Sequence, residues 1–109
     1  MEVQHASLAA GRWQTLTLAE QLGNIGSEVS RAARAQGKDE NGFKNAVGRA
    51  LELFEFTLQD PRWRGRYREI ARAREVFLDA VSGGAEYQSS LQELVPYFDQ
   101  FAYVARLRV

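Results

Sequence analysis

The sequence predicts an all-α protein, an up-down four-helix bundle with a loose N-terminal leader. Apolar residues recur at every third or fourth position in four successive segments, which is the periodicity of amphipathic helices. Short links rich in glycine, proline and aspartate separate these segments. No segment alternates apolar and polar residues as a half-buried strand does. Short links favour antiparallel neighbours, so the up-down arrangement is the most economical one.

Length and composition set limits on the classes of protein. The chain has 109 residues, which predicts one domain over residues 14–109 after a leader of residues 1–13. With 14 basic and 14 acidic residues its formal charge is zero, which argues against a surface that binds nucleic acid or anionic lipid throughout. There is no cysteine, so disulfides and thiolate metal sites are excluded. No apolar run is long enough for a membrane span, and the default expectation is a cytoplasmic bacterial protein without a membrane partner.

The first helix has clear start and stop signals. The leader lacks a period and ends at Trp13, after which Thr17 and Glu20 have the spacing of a capping box. Gly37 is the expected stop. The apolar stripe between them is Leu18, Leu22, Ile25, Val29 and Ala32 or Ala33.

Two glycines, Gly23 and Gly26, lie inside this helix. Each costs roughly 1 kcal/mol relative to alanine in a helix interior. One interpretation is that they allow close approach of a packed neighbour, and the other is a kink beside a functional site. The first is favoured.

The second helix has more apolar positions than one face can hold. It is expected over residues 42–59, with Asp39 or Asn41 as its N-cap. Its main stripe is Phe43, Val47, Ala50, Phe54 and Leu58. Leu53 and Phe56 point away from that stripe. A helix that is apolar on two sides needs two neighbours, so it is either the inner helix of the bundle or also meets another subunit.

Asp60-Pro61 ends the second helix and starts the third, because aspartate is a good N-cap and proline suits the first helical position. The third stripe is Trp63, Tyr67, Ile70, Phe77, Leu78 and Val81, and Ser82-Gly83-Gly84 ends it. The fourth is Tyr87, Leu91, Leu94, Phe98, Phe101, Ala102 and Ala105. Pro96 interrupts the fourth segment, so we expect a kink there, or a short helix followed by a longer one.

Five arginines with few acidic neighbours make the start of the third helix basic: Arg62, Arg64, Arg66, Arg68 and Arg72. Interleaved with Trp63 and Tyr67, they could contact a nucleic-acid backbone or another anion while the aromatic rings stack on bases. Alternatively the aromatics are core residues, and the arginines form a solvated rim or pair with an acidic patch of another copy. The zero net charge favours the second interpretation.

Arg74 is expected to point inward, because it falls within the apolar stripe of the third helix. A buried guanidinium needs a carboxylate, and Glu28 on the first helix is the preferred partner. The next candidates are two carboxylates of the second helix, Glu52 and Glu55. Such a pair would set helix register. The alternative is an anion pocket shared with Arg72 or Arg49.

Catalytic, cofactor and metal motifs are absent from the sequence. His5, the single histidine, lies in the leader, so neither a serine–histidine triad nor a histidine metal site can be assembled in the domain. The glycines follow no predicted strand, which removes phosphate-loop and dinucleotide patterns. We therefore expect a non-enzymatic protein with no cofactor and no metal.

A family resemblance lies in the helix–loop–helix stretch of residues 21–58, about a third of the chain. The residues that carry it are Asn24-Ile25, Glu28, Arg31, Lys38-Asp39, Phe43 and Ala50-Leu51-Glu52-Leu53. This stretch resembles small bacterial four-helix-bundle proteins, namely the ribosomal intervening-sequence proteins and the accessory variability proteins of diversity-generating retroelements. The resemblance implies a non-enzymatic protein that forms a ring of identical subunits. In the retroelement branch it also implies contact with a reverse transcriptase and its RNA.

Apolar and aromatic residues outside the predicted stripes also favour a protein that forms homo-oligomers. Four residues lie off the predicted stripes and are candidates for a subunit interface: Leu53, Phe56, Tyr97 and Tyr103. The predicted function is that of a homo-oligomeric binding or accessory module. One alternative is a nucleic-acid-binding accessory protein that uses the basic helix from Arg62 to Arg74. Another is a helical antitoxin or inhibitor that masks a partner enzyme.

Overall fold

The computed structural model describes residues 11–107 and is an all-α helical bundle, as predicted. The four α-helices are α1 (Leu18–Ala35), α2 (Glu40–Leu58), α3 (Tyr67–Val81) and α4 (Leu91–Leu107). Two short 3₁₀ helices complete it, Trp13–Thr15 and Pro61–Arg66. Within the described part of the chain there is no strand. None of its helices has the length and apolar character needed to cross a membrane.

Helix α1 begins with the predicted capping box. The Thr17 hydroxyl accepts a hydrogen bond from the Glu20 amide at 3.1 Å, and the Glu20 carboxylate accepts one from the Thr17 amide at 2.8 Å. Gly37, the predicted stop, follows the helix with a φ of +77°. The predicted stripe faces the core, and both Ala32 and Ala33 are buried.

Of the two candidate caps for α2, Asp39 is the one used. Its carboxylate accepts a hydrogen bond from the Gly42 amide at 3.0 Å. The helix ends at Leu58, one residue before the expected end at Gln59. The side of α2 that carries Leu53 is covered within the fold, since Leu53 is only 2% exposed.

The third segment differs from the prediction of one continuous helix. Asp60 caps a 3₁₀ helix, Pro61–Arg66, and α3 begins only at Tyr67. Trp63 has non-helical dihedral angles, with φ −106° and ψ 21°. Because a 3₁₀ helix has about three residues per turn, the predicted stripe loses phase across this stretch. Tyr67, predicted to be in the core, is 52% exposed.

The end of α3 and the start of α4 are set by local chemistry. Gly83 and Gly84 follow α3 with positive φ, so the predicted stop is confirmed. Helix α4 starts later than its apolar pattern indicated. Ser90 and Glu93 form a second capping box, with amide-to-side-chain distances of 3.0 and 3.2 Å. Tyr87 therefore precedes the helix.

Pro96 lies inside α4, which continues from Leu91 to Leu107. The alternative of a short helix followed by a separate longer one is therefore wrong. Near the helix start a proline removes one backbone donor and leaves most of the hydrogen-bond ladder in place.

Helix α1 packs most extensively, against both α2 and α4, while α3 closes the bundle against α2 and α4. The core is centred on Phe54, whose ring centroid lies 5.9 Å from that of Phe77 and 6.1 Å from that of Phe98. The other large apolar side chains that are fully buried among residues 11–107 are Trp13, Ile25, Val29 and Leu91.

The glycines of α1 mark its contact with α4. A Cβ atom on Gly26 would lie 2.5 Å from Cβ of Phe98, and one on Gly23 would lie 3.1 Å from Cα of Ala102. The favoured interpretation, close approach of a packed neighbour, is confirmed.

One residue of the predicted leader lies in the core of the bundle. Residues 1–10, including His5, lie outside the described residues. Trp13, predicted as the last residue of a loose leader, is fully buried in the core. Its indole Nε1 donates a hydrogen bond to the Thr57 hydroxyl at 3.2 Å, which ties this residue to the end of α2.

Candidate functional site

A buried polar network joins the first 3₁₀ helix, α1 and the turn before α3. Gln21 is at its centre and is fully buried. Its amide nitrogen donates to the Trp13 carbonyl at 2.9 Å and to the Asp60 carboxylate at 3.2 Å. Its amide oxygen accepts a hydrogen bond from Trp63 Nε1 at 2.9 Å. Sequence reasoning missed this network, although a glutamine between Leu18 and Ile25 on an apolar stripe was a usable signal.

Arg62 belongs to this network. Its Nη2 donates to Asp60 Oδ2 at 2.7 Å and to the Leu16 carbonyl at 2.8 Å, and its guanidinium lies 4.4 Å above the Trp63 ring. The side-chain hydrogen bond from Arg62 is the main cause that lowers the pKa of Asp60 from 3.8 to about 2, against the opposing effect of burial. Arg62, predicted as a nucleic-acid or anion contact, is therefore already paired with a carboxylate within the fold.

Two further arginines of the basic cluster are paired. Arg66 binds Glu69 through two hydrogen bonds of 2.8 and 3.0 Å, which raises the pKa of Arg66 and lowers that of Glu69. Arg72 Nε lies 3.7 Å from the Glu75 carboxylate, and its guanidinium lies 5.8 Å from the centroid of the Tyr87 ring.

Arg64 and Arg68 are the members of the basic cluster that have no carboxylate partner among the described residues. Both are exposed, and neither has a carboxylate within 4.0 Å among residues 11–107. Tyr67 lies between them in sequence and is also exposed. We call Arg64, Tyr67 and Arg68 the arginine–tyrosine patch. Trp63, the other aromatic residue predicted to stack on bases, is partly buried and packs against the core.

The predicted ion pair between Arg74 and Glu28 is not formed. Arg74 Nε lies 3.3 Å from Glu55 Oε1, while Glu28 Oε1 lies 3.0 Å from Arg31 Nη1. Glu55 was the lower-ranked candidate. Glu28 instead lines a cavity between α1 and the first half of α2, whereas Arg74 lies beside Glu55 near the other end of α2. The Arg74 side chain is also one-third exposed, so the pair is not deeply buried.

The four interface candidates fall into two groups. Leu53 is buried in the core of the single chain, which corrects its assignment, and Phe56 is partly buried and packs against that core. Their side of α2 is covered by the bundle itself. Tyr97 and Tyr103 are exposed, by 36% and 58%.

Exposed apolar side chains are concentrated on α4. Val104 and Leu107, which the sequence analysis did not single out, are also exposed on this helix. We call Tyr97, Tyr103, Val104 and Leu107 the α4 apolar surface. Next to it, α3 and α4 enclose a groove of about 260 Å³ whose walls are mainly Ala73, Val76, Leu94, Tyr97 and Phe98. Burial is the main cause that raises the pKa of the Tyr97 phenol above 10.0, and the nearby Glu69 carboxylate adds to it.

In the part of the chain that the structure describes, no cluster of side chains forms a ligand set for a metal ion. None of its groups of histidine, aspartate and glutamate residues could hold a metal ion. The polar residues that do converge are those of the Gln21–Asp60 network, and their hydrogen bonds are made to one another.

In comparisons with known proteins, no family model matches the chain, and no curated protein or solved structure matches it significantly. The resemblance to the intervening-sequence and retroelement accessory proteins stays a prediction.

Proposed function

We propose that this chain is a non-enzymatic binding module that self-associates through α4. The observation that carries the proposal is the α4 apolar surface, on which Tyr103 and Leu107 are 58% and 65% exposed. Tyr97 and Val104 are two turns apart and therefore lie on one side of the helix. Contiguous exposed apolar and aromatic surface next to a groove is typical of protein interfaces.

The charge distribution supports association between copies of the same chain. The arginine–tyrosine patch contributes two unpaired cations near the start of α3. Residues 79–100 contain four carboxylates and no lysine or arginine: Asp79, Glu86, Glu93 and Asp99. An arrangement in which this segment of one copy faces the patch of the next would pair opposite charges, and it would favour a defined orientation. The zero formal charge leaves no net repulsion to oppose assembly.

The resemblance noted in the sequence adds a more specific role to this proposal. A ring of identical subunits that serves as an accessory to a reverse transcriptase and its RNA would use the same self-association. The partner enzyme would then bind a surface that exists only in the assembled ring.

Light scattering on the purified protein tests self-association directly. We expect a solution mass that is an integer multiple, greater than one, of 12.3 kDa. The double variant Tyr103→Glu/Leu107→Glu should return the mass to 12.3 kDa, because two carboxylates would be desolvated in the contact. Gln59→Glu, an exposed position at the end of α2, is the control and should leave the mass unchanged.

A monomeric wild-type chain at all concentrations would contradict self-association. A stoichiometric foreign protein bound to a monomer would instead support the masking of a partner enzyme. In that outcome the α4 apolar surface would be the first place to search for the partner's contact.

A second candidate function is single-stranded nucleic-acid binding by the arginine–tyrosine patch. The observation that favours it is the exposure of Tyr67 between two arginines without carboxylate partners. An exposed aromatic ring flanked by cations combines base stacking with phosphate contact.

The salt dependence of RNA binding tests this second candidate. Fluorescence anisotropy with a labelled single-stranded RNA should show affinity that falls steeply with salt. Arg64→Gln/Arg68→Gln should reduce the slope of log K against log salt by about 1.4, since each lost phosphate contact contributes about 0.7. Lys44→Gln/Arg106→Gln removes the same charge from other helices and should leave the slope nearly unchanged. No binding at low salt would remove the candidate.

A further inference from the structure

A cavity of about 430 Å³ lies between the C-terminal half of α1 and the N-terminal half of α2. The two helices are joined by the short loop before Asp39, so their facing sides form a hairpin. We call this space the hairpin cavity. It is separate from the α4 apolar surface, from the groove between α3 and α4, and from the arginine–tyrosine patch, none of whose residues line it.

Small side chains on facing sides of the hairpin leave room for the cavity. Ala35 on α1 and Ala46 on α2 contribute only a methyl group each to the lining, and the space beside Gly42 is occupied by the Asp39 carboxylate. Gly42 and Ala46 are four residues apart and so lie one above the other on α2. Ala46 is itself buried in the core, so the cavity lies beside the packed contact of the two helices and is bounded by short side chains.

The lining of the cavity is rich in cations. Arg31, Arg34, Lys38 and Arg49 line it, against two carboxylates, Glu28 and Asp39. The first three are spaced by three and four residues, which directs them to one face of α1 and the turn that follows it. This local excess is notable in a chain whose formal charge is zero.

Both carboxylates already have local partners. Asp39 caps α2 by accepting the Gly42 amide. Glu28 Oε1 accepts a hydrogen bond from Arg31 Nη1 at 3.0 Å, and its other oxygen accepts none from the described residues. Glu28 is 7% exposed, whereas the Arg31 side chain is 55% exposed. The Glu28 carboxylate therefore restrains Arg31 through one hydrogen bond, while more than half of the Arg31 side chain stays exposed.

Arg34 and Lys38 have no carboxylate within salt-bridge distance anywhere in residues 11–107. Both are exposed at the cavity. Unpaired cations beside a recess raise the local concentration of anions. A guanidinium also matches the geometry of phosphate oxygens through two parallel N–H groups.

From this arrangement we propose that the hairpin cavity binds a phosphorylated small molecule. Arg34 and Lys38 provide the principal contacts to the phosphate, and Arg31, positioned by Glu28, provides a third. The volume of about 430 Å³ falls within the range of about 300–1,000 Å³ that is usual for small-molecule sites. The site requires neither self-association nor nucleic-acid binding.

Titration with inorganic pyrophosphate, followed by amide chemical shifts and calorimetry at low ionic strength, tests the proposal. We expect saturable binding with shift changes concentrated in residues 31–49. Arg34→Gln/Lys38→Gln should weaken binding by about tenfold or more, because two charge-assisted contacts are lost. Arg12→Gln/Arg106→Gln removes the same charge at two exposed positions that do not line the cavity, and it should change the affinity by less than about twofold.

A third variant separates ligand binding from the effect of cations on the end of α1. Asn45→Glu adds a carboxylate to the lining from α2 without removing a cation, and it should also weaken pyrophosphate binding. Arg34 and Lys38 could otherwise act only on the carbonyls of the last turn of α1. In that case the double variant would unfold at a lower temperature, and pyrophosphate would bind equally to all variants or to none.

Three results would overturn the proposal. They are the absence of saturable binding at millimolar pyrophosphate, equal weakening in Arg34→Gln/Lys38→Gln and in Arg12→Gln/Arg106→Gln, and binding of single-stranded RNA through Arg34 and Lys38 without binding of pyrophosphate. The last result would assign the cavity to a nucleic-acid backbone. Circular dichroism of each variant establishes that the compared proteins are folded.

Discussion

Asp60 shows how one residue links several parts of this fold. Its carboxylate is buried and accepts hydrogen bonds from the side chain of Gln21 and from both the backbone and the side chain of Arg62. These bonds favour the charged form more than burial disfavours it, so the pKa of Asp60 falls to about 2. A carboxylate whose pKa is lower in the folded protein than in the unfolded chain stabilises the fold only while it is ionised.

Acid should therefore destabilise the protein through Asp60. The contribution is complete above the ordinary pKa of 3.8 and is lost as pH falls from there to about 2. The difference between the two pKa values corresponds to a loss of about 2 kcal/mol in the free energy of unfolding. Urea denaturation at several pH values measures it, and Asp60→Asn should flatten this acid dependence. Asp99→Asn, an exposed position on α4, is the control and should retain it.

The contact between α1 and α4 depends on a glycine in the middle of α1. Gly26 is unfavourable for an isolated helix, yet the backbone of α1 can approach Phe98 only because there is no side chain at this position. Gly48 on α2 is the opposite case, because nothing lies within 4 Å of the place where its Cβ would be. The two glycines have similar helix propensity and different packing.

Substitution of each glycine by alanine should therefore change stability in opposite directions. Gly26→Ala should lower the free energy of unfolding by about 1–3 kcal/mol, because its Cβ would lie 2.5 Å from Cβ of Phe98 and overpack the contact. Gly48→Ala should raise it by about 1 kcal/mol through helix propensity alone. Chemical denaturation of both variants measures this difference. A gain of stability in Gly26→Ala would mean that α1 and α4 can separate at little cost.

Four of the six large apolar side chains that are exposed in residues 11–107 lie on one helix, α4. The core is closed around Phe54, while Tyr103 and Leu107 remain in solvent. A chain of this size buries a smaller fraction of its surface than a larger domain does, so burial between copies would add appreciably to its stability. Stability and assembly should therefore be linked by mass action.

The thermal unfolding midpoint should accordingly rise with protein concentration. A ligand or partner subunit that binds only the folded state stabilises it in proportion to the logarithm of its concentration. Calorimetry over a hundredfold range of protein concentration measures the shift. The shift should vanish in Tyr103→Glu/Leu107→Glu and persist in Gln59→Glu. A midpoint independent of concentration in the wild type would contradict self-association.

The amino-acid sequence by itself determined most of the points where helices begin and end, because those signals are local. The Thr17–Glu20 capping box, the Asp39 cap and the stop at Gly83-Gly84 each depend on hydrogen bonds or dihedral angles within a few residues. The periodicity of apolar residues determined the all-α class for the same reason. Two helix starts were not predicted: the second capping box, formed by Ser90 and Glu93, and the 3₁₀ helix Pro61–Arg66 that delays the start of α3 to Tyr67.

The tertiary structure alone decided which charges are paired and which apolar residues are covered. The 3₁₀ helix before α3 changes the direction of Tyr67, and the position of α3 along α2 selects Glu55 over Glu28 for Arg74. The network of Gln21 and Asp60 likewise joins residues 39 positions apart. These outcomes depend on the phase and offset of packed helices, which spacing within one segment does not specify.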